Sequence, residues 1–368
     1  MKINKIKFTI TIFGLMFLSC NIIDSRNSND GITKLYVTLQ GTDQISVYNT
    51  PDLKLLKIID IDFEIKDTPH FIVIDEQNGY WFATMVESGY VAQYSLRTDE
   101  LLDSVYVGDF PALMTINSND KKLYVSRMMM YAESYIINEI NYAGNDLLVS
   151  QNYNLNSPIL HGITLDMSNE NIFTVSNEAD WIYRIDLNSS DTSSVAMDKN
   201  YGNQNPGRKI LQPIQCIALN DSLIAITCSA FKDTVKGQVQ VWNGNDLTFR
   251  AAYEFGSDSR PWHLIRSPIN DEIFIALGGT TGNGGVACLT YTENDLELKW
   301  QYMNSDFNTL HGITIDGSGE YIYISGRGNH HLYQMDAKSG TLISSVSLGD
   351  LAIPGGLSVM QNICANCE

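Results

Sequence analysis

The sequence predicts an all-β fold, a seven-bladed β-propeller of four-stranded blades, and three observations carry that prediction. One phrase recurs seven times: a turn, a short apolar strand ending in Asp or Asn, a tight turn, and an aromatic-rich strand ending in a small residue. The first core residues of the copies, Ile72, Met114, Ile163, Ile217, Ile265, Ile313 and Leu357, lie 42 to 54 residues apart, the period of a four-stranded blade. The end copies are complementary fragments: KLYVTLQ from Lys34 has no first strand before it, and GGLSVM from Gly355 is a first strand with nothing after it. Pairing the two closes the ring and removes exposed strand edges.

Taken in order, residues 1–19 read as an export signal. Lys2, Lys5 and Lys7 precede an apolar stretch from Phe8 to Leu18, too short to span a bilayer. Phe17-Leu18-Ser19-Cys20 resembles a lipobox, which predicts lipidation of Cys20 and a bacterial cell-envelope location, periplasmic or surface-exposed, with the membrane reached through the lipid. Residues 20–32 are polar and read as a flexible tether. Residues 33–362 form the expected propeller. Its clearest copies begin at His70 (HFIVIDEQNGYWFAT), His161 (HGITLDMSNENIFTVS) and His311 (HGITIDGSGEYIYIS), and weaker ones at Ala112, Gln215 and His263. Third strands such as YVAQYSL and WIYRIDL and fourth strands such as LLDSVYV complete the blades, with no convincing helical period anywhere from Thr33 on. Residues 363–368 are a tail carrying Cys364-Ala365-Asn366-Cys367.

These repeats resemble those of YVTN-type seven-bladed propellers, on TPHFIVID (Thr68 to Asp75), LHGITLD (Leu160 to Asp166), LHGITID (Leu310 to Asp316) and LYVTLQ (Leu35 to Gln40). The resemblance covers nearly all of the mature chain and implies architecture rather than activity. It extends to surface lipoproteins that capture small molecules, and no ligand-specific motif accompanies it.

The formal net charge is -18, from 42 acidic and 24 basic residues, which excludes the positive field that a phosphate backbone requires, so nucleic acid is not an expected partner. No nucleophile elbow, Walker loop or HExxH occurs. GGTTGNGG (278–285) follows a strand but leads to another strand, and no cofactor is named by a motif.

The residue two places before each first core position should ring one mouth of the central channel: His70, Ala112, His161, Gln215, His263, His311 and Gly355. Four of the six histidines fall on that ring. His161, His263 and His311 are candidate metal ligands; with His70 and Gln215 they are equally candidates for contacting a small organic ligand, or for a structural role between blades. Trp262 offers an aromatic wall, and the loops opening on the same face add Arg127 and Arg327. Met128, Met129 and Met130 are soft donors better read as packing. Cys216 and Cys228 are equidistant from a turn near Ser222, so a disulfide and a pair of buried free thiols are the two expected alternatives there; Cys364 and Cys367 are expected to form a terminal disulfide or a frayed dithiol. The expected function is a non-catalytic, lipid-anchored binding protein holding a small molecule or a partner protein. The alternative is a propeller hydrolase of the lactonase type with a metal on the channel histidines.

Overall fold

The structure is a computed structural model that describes residues 32–128, 135–197, 210–230, 235–256, 259–278 and 284–362. Seven antiparallel sheets of four strands each are arranged in a ring. Cys20 and the Cys364–Cys367 pair lie outside the described residues, as do Met129 and Met130. Among the described residues no helix is long and apolar enough to cross a membrane.

Blade 1 is assembled from both ends of the chain: Pro354–Val359 supplies its first strand, followed by Lys34–Leu39, Gln44–Asn49 and Lys54–Asp60. Leu357 pairs with Val37 and Val359 with Leu35, as ring closure requires. The first strands of blades 2 to 7 are Pro69–Asp75, Pro111–Asn117, Leu160–Leu165, Pro213–Ala218, Pro261–Arg266 and Leu310–Ile315. Second strands are buried almost throughout because both faces pack on neighbouring blades, whereas the fourth strands Lys54–Asp60 and Leu342–Ser347 are exposed or half-exposed along their length. Apolar residues of adjacent blades interlock, Phe274 and Val286 of blade 6 with Ile313 and Tyr333 of blade 7 for example.

Three local devices recur around the ring. First, every first strand carries a register irregularity at its second or third residue. Such a bulge re-aims a side chain, and here it falls at the ring position. Second, a hydroxyl near the end of a second strand donates to a first-strand carbonyl of the following blade: Thr84 to Ala112 at 2.8 Å, Ser126 to His161 at 2.6 Å and Ser325 to Gly355 at 2.6 Å. Third, the residue before each first strand has a left-handed backbone: Thr68, Phe110, Ile159, Gln212, Arg260, Thr309 and Ile353, with φ from 40° to 56°. That conformation is costly for residues with a Cβ. It turns each carbonyl onto the amide that follows the second strand: Val86, Met128, Asn177, Ser229, Gly278, Arg327 and Gln40, at 2.8 to 3.2 Å. An otherwise unpaired strand end is satisfied seven times over in this way.

Of the two alternatives for Cys216 and Cys228 the structure has the buried free thiols and not the disulfide, and Cys288 is likewise free and buried. The bulge accounts for the difference. It inserts a residue on the first strand, so Cys216 faces Ile226 and Cys228 faces Pro213. Counting from the turn assumes an unbroken ladder and brings together two residues that the bulge sets out of step.

Candidate functional site

Two of the recurrent devices, the bulge and the left-handed entry turn, build one cavity. Left-handed entry residues (Thr68, Arg260, Thr309), ring residues (His70, His161, His311) and the residues after second strands (Gln40, Val86, Met128, Asn177, Gly278, Arg327) line a concave pocket of about 630 Å³ at the channel mouth, together with Glu87, Trp262 and Leu310. Its size suits a small molecule.

At its floor the imidazoles close on one another. Ring centroids are 6.0 Å apart for His70 and His161, 6.2 Å for His161 and His263, 4.8 Å for His263 and His311, and 5.5 Å for His311 and His70. Three ring positions are spanned in this circuit. Ala112 and Gly355 are too small to reach inwards, and Gln215 turns its Oε1 onto the amide of Leu264 at 2.8 Å. His161 Nδ1 lies 2.7 Å from the carbonyl of Ile214 on the next blade. His70 Nδ1 lies 2.6 Å from Gln40 Nε2, and Arg327 Nη1 donates to Gln40 Oε1. Trp262 stands 5.5 Å from His311, its plane tilted by 47° to that imidazole.

Burial, in a floor that would hold several cations together, keeps these rings neutral. His70 is pushed down to about 3 by desolvation, then by His161 and Arg327; His161 falls to about 4 by desolvation. Desolvation and neighbouring histidines hold His263 and His311 well below the ordinary imidazole value.

Five buried polar atoms of the pocket residues have no hydrogen-bond partner in the protein: His70 Nε2, His311 Nδ1, Trp262 Nε1, Asn177 Oδ1 and Thr68 Oγ1. Polar groups buried in proteins are normally paired. Their concentration in one concavity marks a place built to meet a polar molecule.

The structure therefore brings His70, His161, His311, Trp262 and Arg327 together in one pocket, keeps His263 in the same circuit of imidazoles though outside that pocket's lining, and sets Gln215 and Arg127 apart. Gln215 and His263 face an inner cavity of about 280 Å³ further along the channel. Arg127 lies off the pocket against Gly108, with its Nε on the carbonyl of Asp109 at 3.0 Å. Among the described residues no three His, Cys, Asp or Glu are arranged to hold an ion. His161 directs Nδ1 into a backbone carbonyl, and His311 meets His263 and His70 edge to face. Gln40, Thr68 and Asn177 were missed in the sequence. Gln40 and Asn177 follow second strands at the same offset as Arg327, so their positions, though not their chemistry, were legible in the repeat; Thr68 shares its offset with no residue that had been singled out.

No protein-family model and no curated protein matches the sequence. Solved structures do match it. The periplasmic gluconolactonase of Pseudomonas aeruginosa is 13% identical with a TM-score of 0.70, covering 89% of this chain and 99% of its own. A candidate 6-phosphogluconolactonase from Bacteroides fragilis is 13% identical with a TM-score of 0.66, covering 90% and 99%. Hydrazine synthase from Kuenenia stuttgartiensis is 12% identical with a TM-score of 0.64, covering 83% and 99%. Such likeness shows the fold, a seven-bladed propeller, and not an activity. It corrects the expected non-catalytic binding function all the same, because structures described as sugar lactonases recur among the neighbours and support the enzyme alternative instead.

Proposed function

We propose that this protein is a lactonase-type hydrolase that opens a small polar lactone, of the sugar-lactone class, at the histidine-lined channel mouth. One observation carries the reading: five unpartnered buried polar atoms belong to residues that line a single concave pocket, among neutral imidazoles. A sugar lactone presents several hydroxyls and an ester carbonyl, and so offers both donors and acceptors to such a lining. Arg327 and Arg260 add positive charge at the rim, suited to a lactone bearing an anionic group. The neighbours named as gluconolactonases and 6-phosphogluconolactonases belong to this reaction class. The resemblance to YVTN-type repeats belongs to the same proposal, as does attachment to the cell envelope through lipidated Cys20.

The test is acid release from glucono-1,5-lactone and its 6-phosphate, followed with a pH indicator above the spontaneous rate. Turnover lost in His161→Ala and retained in Arg127→Ala is the expected result. Release no faster than in buffer, over a panel of five- and six-membered lactones, would overturn the proposal.

A further inference from the structure

Arg327, Gln40 and His70 form a chain whose hydrogen-bond directions are fixed from one end. A guanidinium can only donate, so the Gln40 atom it meets is the amide oxygen. The Gln40 amide nitrogen then donates to His70 Nδ1. In a neutral ring the proton must therefore sit on Nε2, which is buried without a partner in the protein on a residue that lines the pocket. His161 is fixed in the opposite sense. Its Nδ1 meets a carbonyl oxygen, which can only accept, so Nδ1 carries the proton and Nε2 keeps the lone pair.

We propose that Gln40 and Arg327 are positioning residues that hold His70 as a hydrogen-bond donor opposite His161 as an acceptor, dividing two chemically identical side chains into two roles. Resting on the hydrolase reading, the inference assigns the roles as follows. His161 Nε2 takes a proton from water as the water oxygen bonds to the lactone carbonyl carbon. The carbonyl oxygen gains the negative charge and accepts a hydrogen bond from His70 Nε2–H. On collapse the ring C–O bond breaks, and the proton held by His161 passes to the departing oxygen, giving the open hydroxy acid. The 6.0 Å between ring centroids leaves the two groups on one cavity wall, close enough to serve a single carbonyl. Burial keeps His161 unprotonated down to about pH 4, so its lone pair is present throughout the neutral range.

Gln40→Glu makes the consequence measurable. A carboxylate accepts from both neighbours, so His70 must place its proton on Nδ1 and turn a lone pair to the pocket. In protein labelled with ¹⁵N at the imidazoles, two-bond ¹H–¹⁵N correlation spectra should show His70 protonated at Nε2 and His161 at Nδ1. Gln40→Glu should invert His70 alone, and Arg327→Met should give His70 mixed tautomers, covering the case in which the first variant does not fold. With lactone, Gln40→Glu should lower kcat by about 100-fold, with a smaller change in KM, as for loss of one oxyanion donor. Equal tautomers in the unmodified protein, or a His70 signal indifferent to Gln40→Glu, would overturn the relay. The inversion without any lactone turnover would uphold the relay and overturn the hydrolase reading.

Discussion

Ser325 Oγ donates to the carbonyl of Gly355 at 2.6 Å, so the last continuous blade grips the strand that closes the first. Gly356 is held in turn by Thr38 at 3.0 Å. The closing strand is thus fixed on both flanks by hydroxyls in addition to its ladder with Lys34–Leu39.

Removal of residues 354–368 should therefore destabilise the whole ring, because two blades lose a partner and the edge of Lys34–Leu39 is exposed. Ser325→Ala should cost about 1 kcal/mol, the worth of a buried hydrogen bond. Urea unfolding checks both. A truncated protein with the midpoint of the full chain would contradict this account of closure.

Lys34 should be among the most sensitive residues of the frame. Its Nζ, 2% exposed, bonds the carbonyls of Leu96 and Arg97 and lies 2.8 Å from Asp99 Oδ2, while Tyr36 donates to Asp99 Oδ1 at 2.7 Å. Lys34→Met strands a buried carboxylate and should cost roughly 3–5 kcal/mol. The exposed pair Lys66–Glu87 is the control, with Lys66→Ala costing less than about 1 kcal/mol. Similar losses at the two sites in chemical denaturation would remove the distinction.

Thr309→Asn should raise the melting temperature. Thr309 is β-branched at φ 52°, and Asn tolerates the left-handed region better, so relief of about 1 kcal/mol is expected while the carbonyl still caps Arg327. A fall in melting temperature by differential scanning calorimetry would show that the turn is not strained.

Acid should weaken the fold through the floor of the pocket. The folded rings stay neutral to about pH 3 for His70 and about pH 4 for His161, whereas the unfolded chain protonates near 6.5. Between those limits the unfolded state binds more protons, so stability is full above pH 6.5 and declines as pH falls, by up to about 1.4 kcal/mol per pH unit for each ring. Urea midpoints at pH 7 and pH 5 should differ less in His70→Gln/His161→Gln than in the unmodified protein. Parallel pH profiles for the two proteins would count against neutral rings.

The architecture was legible because a propeller repeats its burial pattern. Ile72, Ile163 and Ile313 announce the first strands, and the split blade shows in the two incomplete copies. Ring histidines were legible for the same reason, as positions in register. Less so was everything set by backbone irregularity. A bulge places His161 in the channel, and the equivalent bulge of the next blade moves Cys216 out of register with Cys228; counting along the chain cannot register an inserted residue. Gln40 carries no sequence signal of chemistry; its importance comes from meeting Arg327, 287 residues away, across the seam where the ring closes.

The left-handed turn before each first strand has a consequence for how such a protein diversifies. It fastens backbone to backbone, from the carbonyl of Thr309 to the amide of Arg327 and at the six equivalent places, so the side chains on either side of that fastening are released from structural duty. The rim behaves as a set of interchangeable sockets, one cluster to a blade. Exchanging residues there can rewrite what the mouth selects while the wheel beneath it keeps its shape.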